Sequence, residues 1–142
     1  MFWDSSALLP LLLPEARSSQ LTELLASDPE VAIWWASPLE CQSAIYRQHR
    51  VVPLAKLLAP ALERLEKIAE EADTLAPTGA VRSRAGRLLA SHLIRAADAL
   101  QLAAALVWCN EQPARETFVC LDRRLSEAAL REGFRILPPH KL

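Results

Sequence analysis

The sequence has little glycine, and it lacks the glycine-rich segments on which several enzyme classes depend. Glycine occupies 3 of the 142 positions. There is no glycine-rich phosphate loop, no dinucleotide-binding fingerprint and no Gly-x-Ser-x-Gly elbow. These absences argue against a P-loop enzyme, a dinucleotide-dependent enzyme and a serine hydrolase of the elbow type.

Cysteine and histidine are also scarce, and neither is spaced like a set of zinc ligands. The three cysteines, Cys41, Cys109 and Cys120, form no Cys-x-x-Cys pair, and the three histidines lie far apart. An odd number of unpatterned cysteines is typical of reduced, buried thiols in a cytosolic protein. We therefore expect no thiolate zinc site and no disulfide framework.

The apolar run near the N terminus is too short to cross a bilayer. It extends from Ala7 to Leu13, contains Pro10, and is preceded by Asp4 but by no lysine or arginine. A membrane helix needs about 20 apolar residues, and a signal peptide has a basic start. We expect no membrane association and a cytoplasmic location.

Short apolar segments alternate with segments of helical periodicity. The patterns predict strands at 1–3, 31–35, 117–121 and 134–137, a turn from Ser5, and helices at 15–26, 37–48, 53 onward, 81–91, 97–110 and 124–132. Short strands separated by helices are typical of a parallel sheet covered on both faces. We expect a helix-rich α/β fold with a short central parallel sheet, in one domain over residues 1–142.

Four acidic residues fall where a predicted strand ends or a predicted helix begins. Asp4 and Asp122 directly follow strands, whereas Glu40 and Asp98 lie in first turns of helices. In an open α/β sheet, functional residues gather beyond the carboxyl ends of the strands. The four carboxylates are therefore candidates for one shared site.

Each of these acids also has an ordinary structural interpretation. Asp4 and Asp122 fit helix or turn caps, and Asp98 suits the positive end of a helix. Ser37 and Glu40 match a capping box, in which Glu40 reaches back to the Ser37 amide. The sequence leaves both interpretations open for each residue.

If the four carboxylates do converge, they require compensation, because like charges raise one another's pKa. A divalent cation provides it, and ligation by oxygen alone favours Mg²⁺ or Mn²⁺ over zinc. Such a site is suited to metal-assisted hydrolysis of phosphodiesters.

A stretch without acidic residues separates Asp73 from Asp98. The basic residues within it are Arg82, Arg84, Arg87, His92 and Arg95. A local basic stripe can follow a phosphate backbone, although a solvated helix face is an equally good interpretation.

Four segments resemble the PIN-domain family, and within it the VapC-type toxins of bacterial toxin–antitoxin pairs. They are WDSSALL at 3–9, LECQSAIYR at 39–47, LIRAADALQLAAAL at 93–106 and FVCLDRRLSEAALREGFRIL at 118–137. The order Asp, Glu, Asp, Asp matches the family pattern. It carries over to Asp4, Glu40, Asp98 and Asp122, and Ser6 matches a position that the family fills with a small hydroxyl residue.

The resemblance implies an α/β/α sandwich and an Mg²⁺- or Mn²⁺-dependent ribonuclease. Asp4, Glu40, Asp98 and Asp122 would form the metal site. The first three would hold the primary cation, and Asp122 would complete the acidic cluster and help to orient the attacking water. The RNA backbone would contact Ser6 and the basic residues Arg82, Arg84, Arg87, Arg95 and Arg123, with Arg124 as an alternative to Arg123. The resemblance also implies a cognate antitoxin and a homodimer.

The segment after Asp122 departs from the family pattern. Many relatives place an asparagine or aspartate there, whereas this chain has Arg123, Arg124, Leu125 and Ser126. The number of metal ions therefore stays open. Two other functions remain to be distinguished, namely a nuclease acting on DNA and an inactive PIN-like module that binds RNA or protein.

Overall fold

The computed structural model describes residues 1–140 and is built around a five-stranded, all-parallel sheet. The strands are β1 (Phe2–Trp3), β2 (Ala32–Trp34), β3 (Asp73–Leu75), β4 (Thr117–Val119) and β5 (Arg135–Leu137), in the spatial order β3-β2-β1-β4-β5. The helices are α1 (Ser5–Leu12), α2 (Ser18–Ser27), α3 (Ser37–Val51), α4 (Leu58–Glu71), α5 (Gly79–Ser91), α6 (Ala96–Trp108) and α7 (Arg123–Glu132).

Helices cover both faces of the sheet. Successive strand residues point to opposite sides and therefore pack into different cores. In β1, Phe2 packs into a core formed with α5, α6 and α7, whereas Trp3 packs into a second core formed with α1, α3 and α4. In β4, Phe118 packs into the same core as Phe2, and Val119 packs into the same core as Trp3. The predicted helix-rich α/β/α sandwich is therefore confirmed.

Helix α6 is buried along nearly its whole length, as its apolar sequence predicts. Every residue from Gln101 to Leu106 is at most 1% exposed. The helix packs over the centre of the sheet, where the Phe2 and Phe118 rings stack 5.9 Å apart. Because α6 is fixed in this way, the position of its first turn, which contains Asp98, is fixed as well.

The prediction of a turn from Ser5 was wrong, since α1 begins there. Asp4 caps this helix, and five of its eight residues, including Pro10, are buried. Pro10 cannot donate a backbone hydrogen bond, and that signal obscured the helix in the sequence. Burial of the apolar residues stabilises α1 nevertheless.

Strand β3 was not predicted, because its residues lack an apolar pattern. Asp73 and Thr74 are exposed at the edge of the sheet, and the sequence places Asp73 at the end of an acidic helix. The leucine-rich segment from Pro53 begins with a short 3₁₀ turn at Ala55–Leu57. Pro60 falls in the first turn of α4, where its missing N–H has no intrahelical partner in any case.

The thiols lie largely inside the protein. Cys41 and Cys120 are buried, Cys109 is half-buried, and none of the three forms a disulfide. Burial raises the pKa of the Cys41 thiol to about 12. Over residues 1–140, no helix is both long enough and apolar enough to span a bilayer.

Gly133 and Gly86 should respond oppositely to replacement by alanine. Gly133 ends α7 at φ 112°, and an added Cβ would lie 3.2 Å from Pro113 Cγ. Gly86 lies inside α5 with open space around it. We expect Gly133→Ala to lower the free energy of unfolding by at least about 1 kcal/mol and Gly86→Ala to raise it by about 0.5–1 kcal/mol. Urea unfolding of both variants checks this, and equal effects would contradict the assigned C-cap.

Candidate functional site

Two of the candidate acids are helix caps. Asp4 lies at the end of β1 and accepts a hydrogen bond from the Ser6 amide at 3.0 Å. Asp122, which follows β4, accepts one from the Leu125 amide at 2.8 Å. The capping interpretation is therefore right for both residues, and capping also fixes their carboxylates at the carboxyl edge of the sheet.

Each capping carboxylate keeps one oxygen without a hydrogen bond to the described residues. The contacts of Asp4 with Ser6 and Cys120 all go to Oδ2, and the contact of Asp122 with Leu125 goes to Oδ1. Carboxylates can accept at both oxygens. The cap thus leaves one oxygen of each residue available to a ligand.

Glu40 is not part of a capping box, so that interpretation is wrong. Helix α3 has Ala36 at its N-cap position and no side-chain cap. The Ser37 hydroxyl instead exchanges hydrogen bonds with Gln101. The Glu40 carboxylate accepts from the Ser5 hydroxyl at 3.2 Å and from the Gln101 side-chain amide at 3.3 Å. Glu40 therefore turns towards α1 and α6.

The charges of Asp4, Glu40 and Asp98 influence one another's pKa values. Burial raises the pKa of Asp4, and the negative charge of Asp98 also raises it. Hydrogen bonds from Ser6 lower this pKa but do not cancel the effect of burial. Burial, together with the charges of Asp4 and Asp98, raises the pKa of Glu40 to about 7. Three acids from different parts of the chain thus share one electrostatic environment.

Asp98 connects this group to Asp122. Burial and the charge of Asp122 raise the pKa of Asp98, whereas the positive charges of Arg95 and Arg124 lower it. Asp98 and Asp122 line an open cleft of about 450 Å³ together with these arginines. The structure therefore gathers all four predicted acids at one edge of the sheet.

The donor set suits a hard divalent cation. In residues 1–140, no group of three or more His, Cys, Asp or Glu side chains is already arranged to hold a metal ion. Mg²⁺, however, is usually bound by one or two carboxylates together with water and substrate phosphate oxygens. The acids that would hold it are Asp4, Glu40 and Asp98. Burial is the main cause of their raised pKa values and neighbouring negative charges add to it, so a bound cation would favour their ionised forms.

Ser6 joins the ends of β1 and β4. Its hydroxyl hydrogen-bonds to the Asp4 carboxylate and accepts from the amides of Leu121 and Asp122, at 2.9 and 3.3 Å. One donor and two acceptor positions are all that a serine hydroxyl has. Ser6 therefore positions Asp4 and Asp122, and the substrate contact predicted for it stays a prediction.

Sequence reasoning missed Gln101. This side chain is 1% exposed and holds both Ser37 and Glu40. It lies three residues after Asp98, on the same side of α6. The signal was present, because Gln101 is the one polar residue in the run ALQLAAALVW, and a buried polar side chain needs partners.

Arg84 pairs with two glutamates that are not among the four acids, and its predicted contact with the RNA backbone stays a prediction. It forms ion pairs with Glu111 at 2.6 Å and with Glu132 at 3.0 Å, and its side chain is 15% exposed. Glu111 lies beyond the end of α6 at Trp108, whereas Asp98 lies in the first turn, so about 15 Å of helix separates Asp98 from that end. Arg84 therefore contributes to packing.

The other predicted arginines differ in their distance from the acids. Arg95 is exposed at the start of α6, beside Asp98. Arg123 lines the same cleft, although it also pairs with Glu127 at 3.2 Å. Arg82 and Arg87 are exposed on α5, and Arg82 lies about 14 Å along the axis from the end of that helix. Arg95 and Arg123 are thus the best placed for a substrate at the acids.

The fold and the acidic crevice together define an α/β protein whose site lies at the carboxyl edge of a parallel sheet. A model of the PIN domain matches residues 1–130. The chain belongs to the PIN-domain family. PIN domains are generally metal-dependent nucleases, and the chain is accordingly a nuclease-type domain.

A solved structure shares the fold. The crystal structure of PAE2754 from Pyrobaculum aerophilum superposes with a TM-score of 0.68, covering 96% of this chain and 87% of that one. The two sequences are 18% identical, so the likeness concerns the fold alone. No curated protein matches this chain in sequence.

The pKa of Glu40 leads to a prediction about stability. Between pH 4.5 and about 7 the folded protein binds a proton at Glu40 that the unfolded chain has lost, so this residue lowers stability as pH rises through that window. We expect Glu40→Gln, compared with the wild type in EDTA, to become relatively more stable from pH 5 to pH 8. Urea unfolding measures the difference. Glu63→Gln, on the exposed face of α4, is the control, and a parallel response of the two variants would contradict the assigned environment.

Proposed function

We propose that this PIN domain is a single-domain, Mg²⁺- or Mn²⁺-dependent endoribonuclease and the toxin of a toxin–antitoxin pair. The observation that carries the proposal is the electrostatic coupling of Glu40, Asp4, Asp98 and Asp122 beside two arginines. Carboxylates for a cation and guanidinium groups for phosphate are the two requirements of phosphodiester hydrolysis.

The residues have separate roles in this proposal. Asp4, Glu40 and Asp98 bind the cation, directly or through water, and Gln101 and Ser5 orient Glu40. When bound, the cation supplies Lewis acidity and makes water a better nucleophile at neutral pH. Asp122 orients the attacking water opposite the 3′ oxygen of the scissile phosphate. The bond from phosphorus to this oxygen breaks and the oxygen takes up a proton from solvent, so that cleavage leaves a 5′-phosphate and a 3′-hydroxyl.

Arg95, Arg123 and Arg124 hold the substrate in this scheme. They line the cleft that contains Asp98 and Asp122, and arginine pairs with phosphate in a bidentate geometry. Proteins read RNA mostly in single-stranded regions, whose bases are unstacked, and such a strand is the substrate in this proposal.

Replacement of Asp98 by asparagine should abolish cleavage and leave the fold intact. The substitution removes a negative charge at the centre of the acidic group, whereas Asp73→Asn changes an exposed residue at the start of an edge strand. We expect RNA cleavage with Mg²⁺ or Mn²⁺ by the wild type and by Asp73→Asn, and none by Asp98→Asn or in EDTA. Full activity of purified Asp98→Asn would refute the assigned role of Asp98. Cleavage of DNA but not of RNA would identify DNA as the substrate.

Within residues 1–140, no three side chains are arranged as ready metal ligands, and this favours one rival, an inactive module that binds RNA or protein. Titration with Mn²⁺ separates the two functions. Saturable binding by the wild type that Asp98→Asn weakens supports the nuclease, and no binding supports the module.

Two apolar surfaces are proposed for the partners. The first, lined by Trp35, Leu39 and Leu62, is a cleft of about 580 Å³ next to Glu40, and we assign it to the antitoxin. From there an antitoxin arginine could reach the carboxylates. The second surrounds Val51 and Val52, which are 80% and 66% exposed, and we assign it to the homodimer.

Substitutions on the two surfaces control for each other. Leu39→Asp should lose the antitoxin, taken as the product of a short overlapping upstream reading frame, and remain a dimer. Val52→Asp should become a monomer and still bind the antitoxin, because a charge in an apolar interface is costly. Co-purification and analytical ultracentrifugation measure the two properties. A variant that loses both, or neither, would show that the surfaces are wrongly assigned.

A further inference from the structure

We propose a phosphate-binding subsite in the cleft between residues 92–94 and α7, which would hold the backbone phosphate of a nucleotide flanking the cleaved bond. The inference rests on the proposed nuclease function and extends it to the path of the strand. The residues that carry it are Arg124, Arg131 and Leu93.

The cleft is a continuation of the acidic one. It has a volume of about 270 Å³ and is lined by His92, Leu93, Ile94, Arg124, Glu127 and Arg131. Ile94 and Arg124 also line the cleft that contains Asp98 and Asp122. A strand whose scissile phosphate lies at those acids therefore enters this second cleft when it passes Arg124.

The positive charge of the cleft is available to a ligand. Neither Arg124 nor Arg131 forms an ion pair with a carboxylate in the part of the chain that the structure describes. Glu127 lies between them but pairs with Arg123. The two arginines are seven residues apart on α7, which is about two turns, so they share one face roughly 10 Å apart along the axis. Successive phosphates of an extended strand can bridge such a distance.

The wall opposite α7 is held rigidly. His92 Nε2 lies 2.6 Å from a Glu132 carboxylate oxygen, and Arg84 binds the other oxygen of Glu132 at 3.0 Å. These contacts fasten the loop before α6 to the end of α7. The cleft is therefore formed before a ligand arrives, which lowers the entropic cost of binding.

An apolar side chain at the mouth of the cleft favours an unpaired strand. Leu93 is 90% exposed, although it is large and apolar, and Ile94 beside it is half-buried. A nucleobase turned out of its stack could cover Leu93 while its phosphate pairs with Arg131. A base inside a duplex cannot turn in this way without losing its stacking.

Binding of a single-stranded RNA oligonucleotide tests the subsite. In EDTA, where the strand stays uncut, we expect Arg131→Gln to weaken binding about fivefold at 0.1 M salt and to reduce the salt slope by about 0.7, the loss of one phosphate contact. Arg64→Gln, an exposed arginine on α4, is the matched control and should bind like the wild type. Fluorescence anisotropy measures both, and thermal unfolding confirms that the variants are folded.

Substitution of the phosphate locates the contact. An oligonucleotide with a neutral methylphosphonate one or two positions from the cleaved bond should bind the wild type more weakly, and Arg131→Gln should show no further loss with it. Equal binding by the Arg131 and Arg64 variants, or a loss independent of the methylphosphonate, would overturn the subsite. If no protein cleaves RNA but the Arg131 effect persists, the nuclease proposal fails and the subsite stands.

Discussion

The arrangement of the site depends on a carboxyl group, that of Asp4, which is buried without a positive partner among residues 1–140. Asp4 is 4% exposed, and burial raises its pKa. A buried carboxylate is costly unless it is hydrogen-bonded. Asp4 meets this condition through the Ser6 amide, the Ser6 hydroxyl and the Cys120 thiol, and it lies at the positive end of α1. These donors all contact one oxygen, so the other keeps its capacity for a cation.

The same bonds explain why capping and ligand binding are compatible. A helix cap fixes the position and rotation of its side chain, which is what a pre-organised site also requires. Ser6 extends this effect to the end of β4, because its hydroxyl accepts from the successive backbone amides of Leu121 and Asp122. The two caps are thereby held at a fixed separation, although Asp4 and Asp122 are far apart in the sequence.

The sequence could predict which acids meet but not what holds them. Parallel strands place their carboxyl ends at one edge, so Asp4 and Asp122 follow from topology alone. The roles of Gln101 and Arg84 depend on distant contacts. Gln101 binds Ser37, 64 residues away in the sequence, and Arg84 binds Glu111, 27 residues away. No local sequence pattern indicates such contacts. β3 was missed because an exposed edge strand needs no apolar alternation, and α1 because burial outweighed the proline signal.

Helix α7 links the acidic crevice to the cleft that is lined by Arg124 and Arg131. Its first turn is fixed by Asp122, and its inner face is buried at Leu125 and Ala129. Its last turn is fixed by Glu132, which binds His92 and Arg84 at the same time. With both ends and one face held, the backbone of α7 is fixed, so Arg124 and Arg131 project from fixed positions relative to Asp98. Because the network around Glu132 lies away from the acids, it acts on a substrate only through the direction of α7. A substitution in this network would therefore affect binding of the strand more than the positions of the four acids.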